Sequence, residues 1–317
     1  MAKNMYQKRE ERKSKKMNDD GKSFSNVSIN WYPGHMAKTK RQIIEDLKLI
    51  DVIIELLDAR IPVSSQNPDI ARIVEDKKRI ILLNKSDLAE PMQTDKWIEY
   101  FNKKSITALA VDSNSGFGIE KCLKKIEEVM EEDLKKYALK GRINKTIRVM
   151  ILGIPNVGKS SFINRISKKT SAQVANRPGV TRQKQWIRLK ENIELLDTPG
   201  VLWPKFESEV VGLNLAYTGS IKDSVIEKVE IAFSLLKYLY KQYKTNLLER
   251  YKINPTEIDS IIDEEENTTI LNLMYLIGRK RGTIISGGTV DEEKVANIIL
   301  EDFRSGKLGK ITLEKCK

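Results

Sequence analysis

Residues 148–166 read RVMILGIPNVGKSSFINRI, and the order of features in this stretch decides the fold. An apolar run, Val149 to Leu152, leads into Gly153-Ile154-Pro155-Asn156-Val157-Gly158-Lys159-Ser160, after which Phe162, Ile163 and Ile166 recur at helical spacing. Strand, glycine loop and helix in that order are the context of a P-loop. The backbone N–H groups of such a loop and the N-terminus of its helix favour a phosphate chain. Lys159 is therefore expected to reach the outer phosphates and Ser160 to ligate Mg²⁺, with Asn156, Val157, Gly158 and Ser161 in the same cradle. The expected ligand is a nucleoside di- or triphosphate.

Upstream, two more apolar runs end in polar turns. Asp51 to Leu57 (DVIIELL) runs into Asp58-Ala59-Arg60-Ile61-Pro62, and Arg79 to Leu83 (RIILL) into Asn84-Lys85-Ser86-Asp87. Turns at the carboxyl ends of parallel strands line the ligand crevice of an open α/β sheet. An Asp at position 87 can accept hydrogen bonds from N1–H and the N2 amine of guanine, a pair that adenine does not offer. Asn84 can bridge base and loop, and Lys85 can cover the ring face. A site built on such bonds rejects the base that lacks them by orders of magnitude. The ligand is thereby narrowed to GTP and GDP. A further strand over Ile106 to Val111 leads to Asp112-Ser113-Asn114-Ser115-Gly116, where Ser113 is expected near the base, and a helix is expected over Ile119 to Met130.

Downstream, Arg177-Pro178-Gly179-Val180-Thr181-Arg182 precedes a strand at Gln185 to Leu189, and IELL ends at Asp197-Thr198-Pro199-Gly200. Thr181 is the candidate for closing on Mg²⁺ and the γ-phosphate. Asp197 is expected to hold Mg²⁺ through water and the Gly200 N–H to meet the γ-phosphate. In ordinary small GTPases the P-loop comes first and the guanine-reading NKxD late; here the order is reversed, which is a circular permutation. Domain termini that lie close together make such a rearrangement physically accessible.

Many GTPases orient the attacking water with a glutamine shortly after DxxG. In this chain Gly200 is followed by Val201, Leu202 and Trp203, none of which can hold water. His35, the chain's single histidine, sits in Asn30-Trp31-Tyr32-Pro33-Gly34-His35-Met36 just upstream of the first strand. A histidine in a turn is ordinarily structural. The missing glutamine reverses that expectation and makes His35 the candidate water-orienting residue, with Arg60, Arg182 or a group supplied by a partner as alternatives.

The 317 residues suggest two domains with a core in each. Residues 1–28 are basic and nearly free of apolar side chains, as in a disordered tail; 29–204 carry the nucleotide motifs; 205–317 show helical periodicity, at Val225 to Tyr243, Ile258 to Ile262, Ile270 to Ile277 and Glu292 to Phe303. With 32 % charged residues and a net charge of +12, a polyanionic partner is favoured. Arg279, Lys280 and Arg281, placed between the later helices, and Arg304, Lys307 and Lys310 near the end are the candidates for RNA contact. Each of them can equally complement a helix C-terminus. The two cysteines show no metal or redox spacing, and no run is long and apolar enough to cross a bilayer, so a reduced, cytoplasmic setting without a membrane is expected.

Taken together, WYPGHM, DARIP, NKSD, GIPNVGKSS, PGVTR and DTPGVLWP in that order resemble the circularly permuted GTPases of ribosome biogenesis. GLNLAYTGSIKD and the terminal GTVDEEKVANIILEDFRSGKLGKITLE extend the resemblance over about residues 28–317. It implies an α/β P-loop GTPase domain with permuted motif order, followed by an all-helical C-terminal domain. It also implies a GTPase, monomeric by itself, that joins the immature large (50S) ribosomal subunit through 23S rRNA and ribosomal proteins, assists late maturation and leaves after hydrolysis. The family's histidine in WYPGHM is regarded as catalytic, which would make His35 the catalytic residue, and its P-loop asparagine, here Asn156, is associated with K⁺. A GTP-gated RNA-binding scaffold, in which hydrolysis is incidental, is the alternative reading.

Overall fold

The computed structural model describes residues 41–74, 77–142, 144–169, 186–196, 206 and 208–316. Within them, β1 (Val52–Asp58), β2 (Lys78–Asn84), β3 (Thr107–Ala110), β4 (Ile147–Gly153), β5 (Trp186–Lys190) and β6 (Ile193–Leu196) form one sheet of order β3-β2-β1-β4-β6-β5. Neighbours pair parallel throughout except β5 and β6, which form an antiparallel hairpin at one edge. All seven residues of β1 are buried, because a central parallel strand is covered on both faces. The chain winds from β1 outward to β3 and then returns to the other side of β1 with β4. That reversal makes the β1/β4 boundary the switch point, where an open α/β sheet has its ligand crevice beyond the carboxyl ends of the strands.

The helices that matter for the site and its support are α1 (Pro68–Ile73), α2 (Pro91–Lys103), α3 (Ile119–Leu139), α4 (Lys159–Lys169), α5 (Glu209–Tyr217), α6 (Lys228–Gln242), α7 (Lys244–Tyr251), α8 (Pro255–Asp259), α9 (Glu266–Lys280) and α10 (Glu292–Arg304). Period-two burial sends Ile53 and Leu57 to one face of the sheet, and Val52, Ile54 and Leu56 to the other. The latter join a continuous apolar cluster that runs through Ile126 of α3 and Phe162 of α4 into Leu235 of α6, Leu273 of α9 and Phe303 of α10. No described helix is long and apolar enough to cross a membrane.

Two expectations are corrected. Helix α3 continues past Met130 to Leu139, because the charged stretch contains good helix formers and is laced by pairs such as Lys135–Glu131 at 2.6 Å. Gly278-Arg279-Lys280 is the last turn of α9 rather than a connection between helices. After α5 no further strand occurs among the described residues, only an isolated bridge between Ile284 and Val290.

The chain end does not stay with the helices. Ile311 N–H donates to the Leu88 carbonyl (2.9 Å), Leu313 N–H to that of Arg60 (2.9 Å) and Cys316 N–H to Gln93 Oε1 (2.9 Å), while Trp97 Nε1 donates to the Glu314 carbonyl (2.8 Å). Residues 311–316 are thus strapped across β1, β2 and α2.

Candidate nucleotide site

The strand register sets out the site. Asp58 of β1 is level with Asn84 of β2, and Leu56 with Gly153 of β4, so DARIP, NKSD and the P-loop leave the sheet at one edge. The loop after β3 joins them: Val111 N–H donates to the Leu83 carbonyl (2.9 Å). A cavity of about 360 Å³ opens there, lined from the base-reading motifs by Asn84, Lys85, Ser113 and Asn114 and from the P-loop by Asn156 and Gly158 through Ser161.

Asn84 ties these parts together. Its Nδ2 donates to the Val157 carbonyl at 2.8 Å, and its Oδ1 accepts from Ser113 N–H (3.1 Å) and Ser113 Oγ (2.7 Å). One fully buried amide thus joins NKSD, the P-loop and the DSNSG loop. Gly158 has φ +101° and lies against Asn84 Nδ2, so a side chain at position 158 would collide with the amide that organises the pocket. Val157, expected in the cradle, is buried with its side chain in the core and contributes its carbonyl.

Lys85 Nζ donates to Asp58 Oδ2 (3.0 Å) and to the Asn156 carbonyl (2.8 Å), which binds NKSD to the P-loop a second time. Lys159 is buried, with Nζ donating to the carbonyls of Gly153 (3.1 Å) and Ile154 (3.0 Å). Those acceptors are neutral, so an entering phosphate oxygen would give the ammonium a stronger, charge-assisted partner. Asn156, at φ +58°, donates from Nδ2 to the Gly219 carbonyl at 2.6 Å, leaving Oδ1 as the atom suited to a cation. Ser160 lines the cavity in the first turn of α4, where its hydroxyl is a hard oxygen donor of the kind Mg²⁺ takes beside phosphates.

Asp87 is exposed beside this cavity and is not part of its lining. Partial desolvation of its carboxyl and the nearby Asp112 carboxylate raise its pKa above the usual range. Burial pushes Asp112 up as well, but bonds from the Ser115 side chain and the Asn114 and Ser115 N–H groups outweigh it and hold Asp112 low. His35, Thr181, Arg182, Asp197 and Gly200 lie outside the described residues, as does the tail 1–28.

Asp58 and Arg60 were legible as a strand-end turn, and Arg60 as an alternative to His35, but not as a buried pair. Both are 1 % exposed, and Arg60 holds Asp58 through Nε (2.9 Å) and Nη2 (2.8 Å). Burial pushes the Asp58 carboxyl up, yet the Arg60 and Lys85 charges hold it well below the usual carboxylate range. Arg60 Nη1 also donates to the Phe303 carbonyl near the end of α10 (3.3 Å), and its guanidinium lies 4.9 Å over the Phe303 ring. A side chain so committed fastens the turn after β1 to the end of α10.

Four of the six basic residues expected at RNA also form ion pairs within the helical layer, and three of these, Lys280, Arg281 and Lys307, stay exposed. Arg281 (3.5 Å) and Lys307 (3.8 Å) pair with Asp302, Lys280 pairs with Glu257 (2.7 Å), and Arg304 pairs with Asp223 (2.9 Å). Arg279 and Lys310 are exposed as well.

Comparison with known proteins follows the same lines. A family described as 50S ribosome-binding GTPase matches residues 148–273. A ribosome biogenesis GTPase A of Bacillus cereus is 44 % identical over 286 residues, which cover 90 % of this chain and 93 % of the relative. The chain belongs to the ribosome biogenesis GTPase A family. A member from Thermotoga maritima is 30 % identical over 90 % of this chain and 94 % of its own length. The GNP-bound YlqF of T. maritima superposes with a TM-score of 0.60 at 26 % identity, covering 88 % of this chain and 98 % of that one. A GDP-bound YlqF gives 0.59 at 27 %, over 87 % and 99 %. For the ribosome biogenesis GTPase A family, then, the permuted order of NKSD and P-loop seen here is a P-loop GTPase domain carrying a helical C-terminal region.

Proposed function

We propose that this chain is a GTP-hydrolysing assembly factor that binds the immature large (50S) ribosomal subunit and its 23S rRNA, promotes late maturation and is released on hydrolysis. The observation that carries the reading is the Asn84 amide, bonded at once to the P-loop and to the loop after β3, which unites guanine-reading and phosphate-binding motifs around one cavity. The names of the relatives supply the ribosome, and a net charge of +12 suits a polyanionic particle.

In this reading Asp87 accepts the guanine N1–H and N2 amine, Lys85 covers the base, and Lys159 exchanges its loop carbonyls for phosphate oxygens. Ser160 and Thr181, with Asp197 acting through water, hold Mg²⁺, which supplies charge neutralisation at the phosphates. Asn156 Oδ1 would hold a K⁺, which would add to that neutralisation, and turnover is expected to be faster in K⁺ than in Na⁺. His35 orients the attacking water in place of the absent glutamine. Arg279 and Lys310, exposed on the helical layer, join the tail in contacting RNA.

GTP turnover in K⁺ buffer, with and without purified large subunits, tests this on the wild type and His35→Ala. Stimulation by subunits that disappears in His35→Ala is expected. Stimulation that survives would remove His35 from catalysis, and its absence in the wild type would favour the scaffold reading.

A further inference from the structure

The carboxyl end of α5 is gripped from two sides. From the P-loop, Asn156 Nδ2 donates to the Gly219 carbonyl at 2.6 Å. From the helical layer, Arg304 at the end of α10 donates through Nε to the Tyr217 carbonyl (3.0 Å) and through Nη2 to that of Ala216 (2.8 Å). Its Nη1 and Nη2 also hold Asp223 Oδ2 (3.1 Å) and Oδ1 (2.9 Å), just beyond the turn. A guanidinium at a helix C-terminus meets both the orphan carbonyls and the negative end of the macrodipole. Arg304 is therefore a clasp for residues 216–223, and the clasp presents the Gly219 carbonyl to Asn156.

The packing leaves little play. Gly219 has φ +75°, and a Cβ there would stand 3.2 Å from Arg304 Nε, so the turn and the guanidinium are in close contact. The turn after α10 also rests on the base-reading segment, since Gly306 (φ +74°) lies against Leu88 with no room for a side chain. Arg304 itself lines the 360 Å³ cavity, as Asn156 does. An Asn156 amide has two ends, and the bond to Gly219 determines which of them faces away. With Nδ2 committed, Oδ1 is offered to the nucleotide side.

We propose that Arg304 is a positioning residue of the nucleotide site: it acts through the Ala216–Gly219 turn on Asn156, so guanine nucleotide binding and the seating of α10 are coupled. The inference rests on the cavity being the guanine nucleotide site. Its sign follows from linkage: whatever loosens α10 weakens nucleotide binding, and nucleotide tightens the turn by the same factor. A particle that pulls on the helical layer would thereby reach the P-loop without touching it.

A double-mutant cycle with fluorescent GDP tests the coupling, using the wild type, Arg304→Gln, Asn156→Ala and the double variant. Arg304→Gln should weaken GDP about fivefold or more, a typical coupling, while in the Asn156→Ala background the same change should cost less than about twofold. Arg304→Lys, which keeps the charge but not the fork, should fall between. In the wild type, GDP should slow amide exchange over residues 216–220, a response that a merely structural arginine would not give. Should Arg304→Gln fail to fold, Asp223→Asn, at a partly exposed partner, takes its place under the same criteria. Equal losses in both backgrounds, no loss at all, or exchange unaffected by GDP would overturn the proposal. Failure of the wild type to bind GDP would instead sink the reading of the cavity.

Discussion

Asn84 and Arg60 stand just at or beyond the ends of neighbouring strands, and each ties separate parts of the chain together by opposite means. Asn84 does so at the pocket floor with a neutral amide. Arg60 does so at the junction with the helical layer with a buried charge, held by Asp58 and reaching Phe303. A neutral hub loses the net value of a few hydrogen bonds when broken, whereas a charged one leaves an uncompensated buried ion. The difference teaches where the molecule is firm and where it can give. On the DARIP side the helical layer is fastened by an ion pair. On the P-loop side Asn156 meets it through a single amide bond, with no ion pair behind it.

The comparison breaks first if Arg60→Ala is mild. Truncation strands Asp58 with Lys85 as its remaining cation, and urea unfolding should show a loss of about 3–5 kcal/mol; a loss near that of an exposed pair would contradict the charged hub. Next, Asp87→Asn should weaken GDP by about two orders of magnitude with urea stability unchanged, which a titration checks. Asn84→Ala should cost about 1–3 kcal/mol in urea, since it leaves the Val157 carbonyl and the Ser113 N–H without a partner.

The smallest effect is one of pH. The Asp58 carboxyl is held below its ordinary pKa of 3.8, so the stability it contributes is complete above that pH and is lost as pH falls through the lowered value. Urea midpoints between pH 5 and pH 3 should fall less steeply in Asp58→Asn than in the wild type. Equal slopes would mean that the carboxylate is not the acid-sensitive group.

The strands and the pocket were readable because buried parallel strands appear as apolar runs and their polar ends as motifs. Asn84, Lys85, Ser113 and the P-loop meet around one cavity as their order suggested. What escaped the sequence was pairing across long separations. Nothing local marks Arg60 as the partner of Phe303, Arg304 as the clasp on Tyr217, or Glu314 as the acceptor of Ser64 N–H (3.0 Å) and Asn214 Nδ2 (3.1 Å). The same holds for the ion pairs of the basic residues: composition counts charges, while Asp302, which takes Arg250, Arg281 and Lys307, is visible only in three dimensions.

The central claim is that permuted motifs converge on a guanine site, and competition against fluorescent GDP tests it most directly. GDP should displace the probe from the wild type and ADP should not, while Asp87→Asn, whose amide can donate to a 2-oxo group, should turn preference toward xanthosine diphosphate. Equal displacement by ADP and GDP, or an Asp87→Asn variant that still prefers GDP, would contradict the account.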